Sequence, residues 1–354
     1  MRLYPALLPL LAALALGACA SDDSDAAPQP ETGEEAELAA AKPLGAEPSG
    51  PATRYPIVLV HGFTGSRKLW NFVGVPEALR KDGHGKGPDE FRVFPAELPP
   101  FGRPDDNATV LAKQIDQVLA STGADKVNLI AHSKGGLDAR AVVSARGYGD
   151  RVASLVTVAS PHRGTRIADV ALGLLDASGA DAAVDKLLSV WTLSLSREEF
   201  LGNEDILGAM TDMAETNADA WNTAHPDDQR VYYQSWAGVS NVGGLPHPLG
   251  SDHEWETCQR KGYLRINGRD VPRDRMDLKL IPIASIVAHG LDLEPNDGMA
   301  TVSSSIWGDF QGCIPADHQD DVGRTGVKGF DSRSGFDHVR FYRQIAFDLG
   351  RRGF

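Results

Sequence analysis

From about residue 54 onward the apolar positions alternate between two patterns. "YPIVLVHG", Tyr55 to Gly62, is a continuous aliphatic and β-branched run bounded by Pro56 and Gly62. Such a run predicts a strand covered on both faces of a parallel sheet. "EFRVFPAELP" predicts a second strand with its loop, and "KVNLIAHS" a third. Between these two, "NATVLAKQIDQVLASTG" carries apolar residues at helical spacing, with Asn107 as the expected N-cap and Gly123 as the stop. "LDARAVVSARG" predicts a further helix, and "VASLVTVASPHRGT" the next strand with its loop. Strands and helices alternating at this spacing imply the α/β class, with a mainly parallel, doubly wound sheet and right-handed crossovers.

The pattern changes between about Arg166 and Trp236. "IADVALGLLDASGADAAVDKLLSVW" is helical, rich in small residues and acidic, and no strand is evident before "RVYYQSWAG". A helical insertion in a parallel-sheet enzyme is a candidate lid; the alternative is helices that only pack on the sheet. Leu174, Leu187 and Trp191 of this insertion are candidates for an apolar binding surface, or for ordinary core. Farther on, "LIPIASIVA" reads as a strand and "GFDHVRFYR" opens a terminal amphipathic helix. There is no internal repeat.

The N-terminal residues "MRLYPALLPLLAALALGACAS" give a basic start at Arg2, an apolar stretch from Ala6 to Leu16, and small residues before Cys19. This predicts an export signal over residues 1–18, too short to span a membrane stably. Leu16-Gly17-Ala18-Cys19 resembles the bacterial lipobox, whose cysteine becomes the lipid-modified first residue; the alternative is an ordinary cleaved signal. Ala20, where an aspartate often marks inner-membrane retention, favours the outer membrane over the inner. The predicted localisation is therefore export, with anchoring at the cell envelope through Cys19, or secretion. Residues 19–53 are rich in Ala, Pro, Glu and Asp, with no aromatic residue, and predict a disordered tether. Residues 54–354 form the predicted folded domain.

A formal net charge of −13 excludes a phosphate-backbone partner, and no cluster of Lys and Arg contradicts it. With Cys19 committed to lipid, Cys258 and Cys313 are left in an oxidising compartment, where one disulfide between them is the default. Neither lies in a CxxC or His-rich spacing that would suggest zinc.

The chemistry centres on Ala131-His132-Ser133-Lys134-Gly135, followed by Gly136. A serine hydroxyl is a weak nucleophile until a base takes its proton, and the nucleophile elbow G-x-S-x-G projects such a serine from a sharp strand-to-helix turn. Alanine replaces the first glycine here, yet the segment follows a predicted strand and precedes a predicted helix. "HGFTG", His61 to Gly65, ends the first strand and can bring a backbone N–H close to a substrate. Acyl transfer needs two such donors for the developing oxyanion, predicted as the N–H groups of Lys134 and Phe63. An acid and a histidine should follow in the order Ser, acid, His. Asp292 and Asp297 both qualify as the acid, and His318 and His338 as the base; His132 and His162 read as structural.

Five segments in order, "YPIVLVHGFTG", "VNLIAHSKGGLDAR", "VTVASPHRGT", "PNDG" and "DHQDDVG", resemble the bacterial true lipases of the Pseudomonas and Burkholderia type, within the α/β-hydrolase superfamily. The resemblance runs from Tyr55 to Arg324 and is sparse through the helical insertion. It implies the α/β-hydrolase fold with a helical lid, and it selects Asp297 as the acid and His318 as the base of Ser133. It also implies a structural calcium ion held by two aspartates and two backbone carbonyls near the histidine loop. Asp320 takes one position and Asp277 matches the other, with Asp274 as a rival; the carbonyls would be those of Arg324 and Lys328. Arg324 departs from the family's glutamine, and Cys313 lies beyond the family's usual cysteine position. No organic cofactor is implied.

The expected function is an exported serine lipase or esterase that cleaves carboxylic esters of acylglycerols through an acyl-enzyme, acting on lipid or ester at an interface. A folding helper is left open as a further partner. Rival readings keep the triad on another substrate (a short-chain carboxylesterase, phospholipase or polyester depolymerase), use it for acyl transfer, or retain the fold in a non-catalytic surface lipoprotein.

Overall fold

The computed structural model describes residues 44–174, 202–324 and 334–354. The predicted signal with Cys19, Leu187 and Trp191 of the insertion, and Lys328 lie outside these residues.

Six strands form one sheet: β1 (Ile57–Val60), β2 (Val93–Pro95), β3 (Val127–His132), β4 (Val152–Val158), β5 (Tyr232–Gly238) and β6 (Asp309–Ile314). Their spatial order is β2-β1-β3-β4-β5-β6, and every neighbouring pair is parallel. β1, β3 and β4 are buried at every residue, which is why they read as unbroken apolar runs. Alternate residues serve opposite faces. Val58 and Val60 pack with Leu111, Ile115 and Leu137, while Ile57 and Leu59 pack with Trp70, Phe341 and Tyr342. The first face is covered by α3 (Pro104–Thr122) and α4 (Gly135–Ser144). The second is covered by α1 (Arg67–Phe72), α2 (Val75–Lys81) and the C-terminal α10 (His338–Arg351).

The insertion contributes α5 (Arg166–Ala171), α6 (Glu204–Met213) and α7 (Ala218–Ala224) to the described structure. Buried Asp169 of α5 accepts from Glu215 N, Thr216 N and Thr216 Oγ1 at 2.8, 3.1 and 2.6 Å. This carboxylate ties α5 to the turn between α6 and α7. Between β5 and β6 lie α8 (Ser251–Thr257) and α9 (Ile281–Val287). Cys258, at the end of α8, is bonded to Cys313 of β6, and both are fully buried. The predicted pairing is therefore present, and it fastens the α8 region to the edge strand that leads to His318.

Three expectations are corrected. α3 begins at Pro104 with Arg103 as N-cap, because proline at the first turn has φ preset for a helix and Asp105 and Asp106 suit its positive end. Asn107 is thus not the cap; it is buried inside the helix, while Gly123 does end α3 in the left-handed region at φ 65°. "LIPIASIVA" is helix α9, not a strand. An apolar run of that length suits either element, and Pro282 in its first turn with Ile283, Ala284 and Val287 on the buried side fits the helix. The last strand is instead "DFQGCI", whose edge position buries only some of its residues. Finally, the chain from Leu44 is not a free tether. Arg340 donates to the carbonyls of Leu44 and Gly45, Arg351 donates to Ser49 O, and Glu47 pairs with Arg343 at 3.0 Å.

The N-terminal segment also brings in a titratable contact. His84 is fully buried, stacks edge-on to Phe347, and accepts from Thr53 N at 3.1 Å. Burial lowers its pKa from 6.5 to about 4. The unfolded chain therefore takes up this proton first as pH falls, so stability is full above about 6.5 and is lost towards about 4. In His84→Gln the melting temperature should depend less on pH across that window, and an unchanged slope would refute the assignment.

Candidate active site

β3 ends at His132, and the next residue, Ser133, takes φ 56° before α4 begins. A non-glycine residue in the left-handed region is costly and is held here by Ser133 N–H donating to Val158 O at 3.0 Å and by Gly136 N–H donating to Ser133 O at 2.9 Å. The glycine requirement lies after the serine. A Cβ on Gly135 would stand 2.5 Å from His61 O, and one on Gly136 would stand 2.2 Å from Ser160 Oγ. Ala131 lies within extended β3, where alanine is accommodated without a left-handed φ.

Ser133 Oγ lies 2.8 Å from His318 Nε2, and His318 Nδ1 lies 2.7 Å from Asp297 Oδ2. Asp297 is fully buried, and its other oxygen accepts from Met299 N and Ala300 N at 2.8 and 2.7 Å. An ionised carboxylate can only accept, so it selects the tautomer with hydrogen on Nδ1 and leaves Nε2 to accept from the serine hydroxyl. His318 N–H also donates to Asp297 O at 2.9 Å, so backbone as well as side chain fixes the two residues together. This geometry permits proton transfer from Ser133 to His318 with Asp297 stabilising the imidazolium.

The open alternatives fall away. Asp292 is exposed in the turn after α9. His338 is buried at the start of α10, with Nε2 3.0 Å from Val73 O. His162 is buried against Thr157 Oγ1 at 2.9 Å, and burial holds its pKa well below 6.5. His132 packs its ring 4.7 Å from that of His318, and burial keeps it neutral as well.

The "HGFTG" loop stands directly over the elbow, since a Cβ on Gly62 would come within 2.6 Å of Ser133 Cβ. Phe63 and Ser133 line one cavity, whose other walls include Leu69, Ile167, Met210, Met213 and Leu280. These side chains make an apolar slot that ends at a polar, proton-transferring corner. Methionines add adaptability to such a wall.

Comparison with known proteins agrees with this geometry. A family model described as the alpha/beta hydrolase fold matches residues 55–233. A triacylglycerol lipase of Vibrio cholerae serotype O1 is 30% identical over 315 residues, covering 85% of this chain and 89% of its own. The chain belongs to the bacterial lipase family of the α/β-hydrolase superfamily. A triacylglycerol lipase of Pseudarthrobacter phenanthrenivorans is 29% identical over 298 residues, covering 78% of this lipase-family chain and 92% of its own. The crystal structure of Bacillus licheniformis lipase BlEst2 in mature form shares the fold, with TM-score 0.53 at 19% identity, covering 80% of this chain and 91% of that one.

In this lipase-family chain the acidic residues around His318 are arranged differently from expectation. Asp274, Asp317 and Asp320 bring carboxylate oxygens within 4.8 Å of one another. Asp277 is outside that group: its side chain accepts from Lys279 N at 2.8 Å, and its N–H donates to Asp317 Oδ2 at 2.9 Å. Arg324 is exposed at the end of the described segment. Asp274, the rival, is the one whose carboxylate approaches that of Asp320; its Oδ2 also accepts from Ser240 Oγ. Burial, together with nearby Asp297, pushes Asp317 above its ordinary pKa despite three backbone donors. Three converging carboxylates under such strain suit a hard divalent cation with oxygen ligands.

Two acids escaped the sequence reading. Asp317 caps the turn carrying His318, accepting from Gln319 N and Asp320 N. Asp321 is fully buried, 3.8 Å from His132 Nε2, and burial with Asp297 beside it raises its pKa well above the ordinary value. The shift favours the protonated form, which carries no negative charge beside Asp297. The run "ADHQDD" held both signals, but a charge run usually reads as a solvated face, and only the fold turns it inward.

Proposed function

We propose that this chain is an exported serine lipase or esterase that hydrolyses carboxylic esters of acylglycerols. The observation that supports it best is the continuous Asp297–His318–Ser133 hydrogen-bond chain opening into an apolar cavity. In this reading Ser133 Oγ attacks the ester carbonyl as His318 Nε2 takes its proton. The oxyanion is held by the N–H groups of Lys134 and Phe63. His318 then protonates the leaving alcohol, and water activated by His318 releases the acid. The acyl chain occupies the slot bordered by Ile167, Met210 and Met213. Export and the lipid at Cys19 belong to the same proposal and rest on the N-terminal sequence.

The test is a series of esters of increasing acyl length, assayed in solution and as emulsions. Rising kcat/KM with chain length and a rate gain at the oil surface support a lipase; a maximum at acetate or butyrate in solution would replace it with a short-chain carboxylesterase. No hydrolysis of any ester would leave the non-catalytic lipoprotein.

Calcium is proposed at Asp274 and Asp320, with Asp317 beside them. The ion would act structurally by holding the turn that bears His318. Chelation should lower both melting temperature and activity, and added calcium should restore them; at a free concentration of 100 times Kd the ion would add about 2.7 kcal/mol. Asp274→Asn should blunt this response while Asp277→Asn should not. An unchanged melting curve after chelation would remove the ion from the account.

A further inference from the structure

The side chain of Lys134, next to the nucleophile, has no part in the acyl-enzyme chemistry, yet it is 1% exposed. Lysine is almost never buried unless paired. Its Nζ donates to both oxygens of Asp138, at 2.7 and 2.9 Å, and Asp138 is equally buried. The pair spans the first turn of α4, where Asp138 N–H also donates to Lys134 O at 3.1 Å. Side chain and backbone therefore brace the same turn, whose first peptide carries one proposed oxyanion donor.

Asn107 extends this brace beyond α4. Its Nδ2 donates to Asp138 Oδ2 at 3.0 Å and to Pro99 O at 3.1 Å. That neighbouring loop in turn holds the segment carrying the other donor. Leu98 N–H donates to His61 Nε2 at 3.1 Å, and Thr64 N–H donates to Pro100 O at 3.3 Å. Phe101 meets Phe63 edge to face, with ring centroids 5.2 Å apart. Bonded contacts thus run from the peptide after Ser133, through Lys134, Asp138 and Asn107, to both sides of Phe63.

Stability alone does not account for the placement. A buried ion pair is often no better for stability than apolar residues of the same volume. What charged, directional bonds add over apolar packing is a fixed geometry.

We propose that the Lys134–Asp138 pair, bridged by Asn107 to the 98–101 loop, is a positioning device that sets the spacing of the two oxyanion donors, Lys134 N–H and Phe63 N–H. The proposal rests on Ser133 as the nucleophile. Neither substitution below removes a backbone donor, so their effects report on position. Donor displacement should appear in kcat and in affinity for a tetrahedral analogue, because the ground-state ester needs the hole less.

The experiment compares wild type with the apolar pair Lys134→Met/Asp138→Leu and the amide pair Lys134→Gln/Asp138→Asn, measuring kcat, KM, melting temperature and inhibition by an alkylboronic acid. The apolar pair should lose about 10- to 100-fold in kcat, with KM within about twofold and boronic acid affinity falling in parallel. The amide pair, which can keep a neutral hydrogen bond across the turn and the one to Asn107, should recover part of that loss. A folded apolar pair with kcat and inhibitor affinity within about threefold of wild type overturns the proposal. Asn107→Ser provides a milder arm that keeps the ion pair and cuts the bridge. Its kcat should fall about fivefold at unchanged KM, and an unchanged kcat counts against the device even if the double variants do not fold. Ser133→Ala is run alongside: full ester hydrolysis there would overturn the nucleophile itself, a failure distinct from that of the brace.

Discussion

Replacing Ser133 by alanine should lower kcat for ester hydrolysis by on the order of 10⁶-fold, leaving only what the donors and the cavity contribute. The size follows from the geometry. Ser133 Oγ stands 2.8 Å from His318 Nε2, and among the described residues no second hydroxyl shares that contact. The variant should still fold, since the lost Oγ bonds His318 while the turn is held through Ser133 N–H and O. A lifted φ penalty is not expected either, because alanine retains a Cβ at φ 56°. Steady-state assays with matching circular dichroism spectra check both parts.

Asp297→Asn should cost about 10⁴-fold in kcat near neutral pH, with a much smaller change in KM. The carboxamide can present its NH2 to Nδ1 and stabilise the tautomer with hydrogen on Nε2, which cannot accept from serine. Its single oxygen would then occupy the place of Asp297 Oδ1, which accepts from Met299 N and Ala300 N at 2.8 and 2.7 Å, so part of the loop order should survive. The loss should shrink at high pH, where hydroxide competes for the serine proton. A variant within tenfold of wild type at neutral pH would remove Asp297 from the relay and turn attention to Asp321, the buried acid near His132.

Much of this site is legible in the sequence. "YPIVLVHG" and "KVNLIAHS" announced central parallel strands because their residues are buried on both faces, and the elbow then followed from strand, serine and helix in sequence. What could not be read were features decided by tertiary company. "LIPIASIVA" is equally apolar as helix or strand, and its helical outcome depends on which side of α9 meets the core. "DFQGCI" hides as an edge strand because half-burial blurs its alternation. Asp292 and Asp297 differ little as letters, but one is exposed and the other is closed over by Met299 N, Ala300 N and His318. Asn107 looked like a cap because caps are where asparagine is most often useful; its actual partners, Asp138 and Pro99, are brought to it by the fold. Similarly, that Asp274 rather than Asp277 lies beside Asp317 and Asp320 turns on a few residues of spacing that no pattern resolves.

The central claim is that Ser133 becomes acylated. Intact-protein mass spectrometry after treatment with a fluorophosphonate ester, followed by peptide mapping, tests it most directly. One adduct per chain on Ser133, formed in step with loss of ester hydrolysis and absent after Asp297→Asn over the same time, is the predicted result. Hydrolysis that persists in fully labelled protein, or inactivation with the adduct at another residue, would contradict the account.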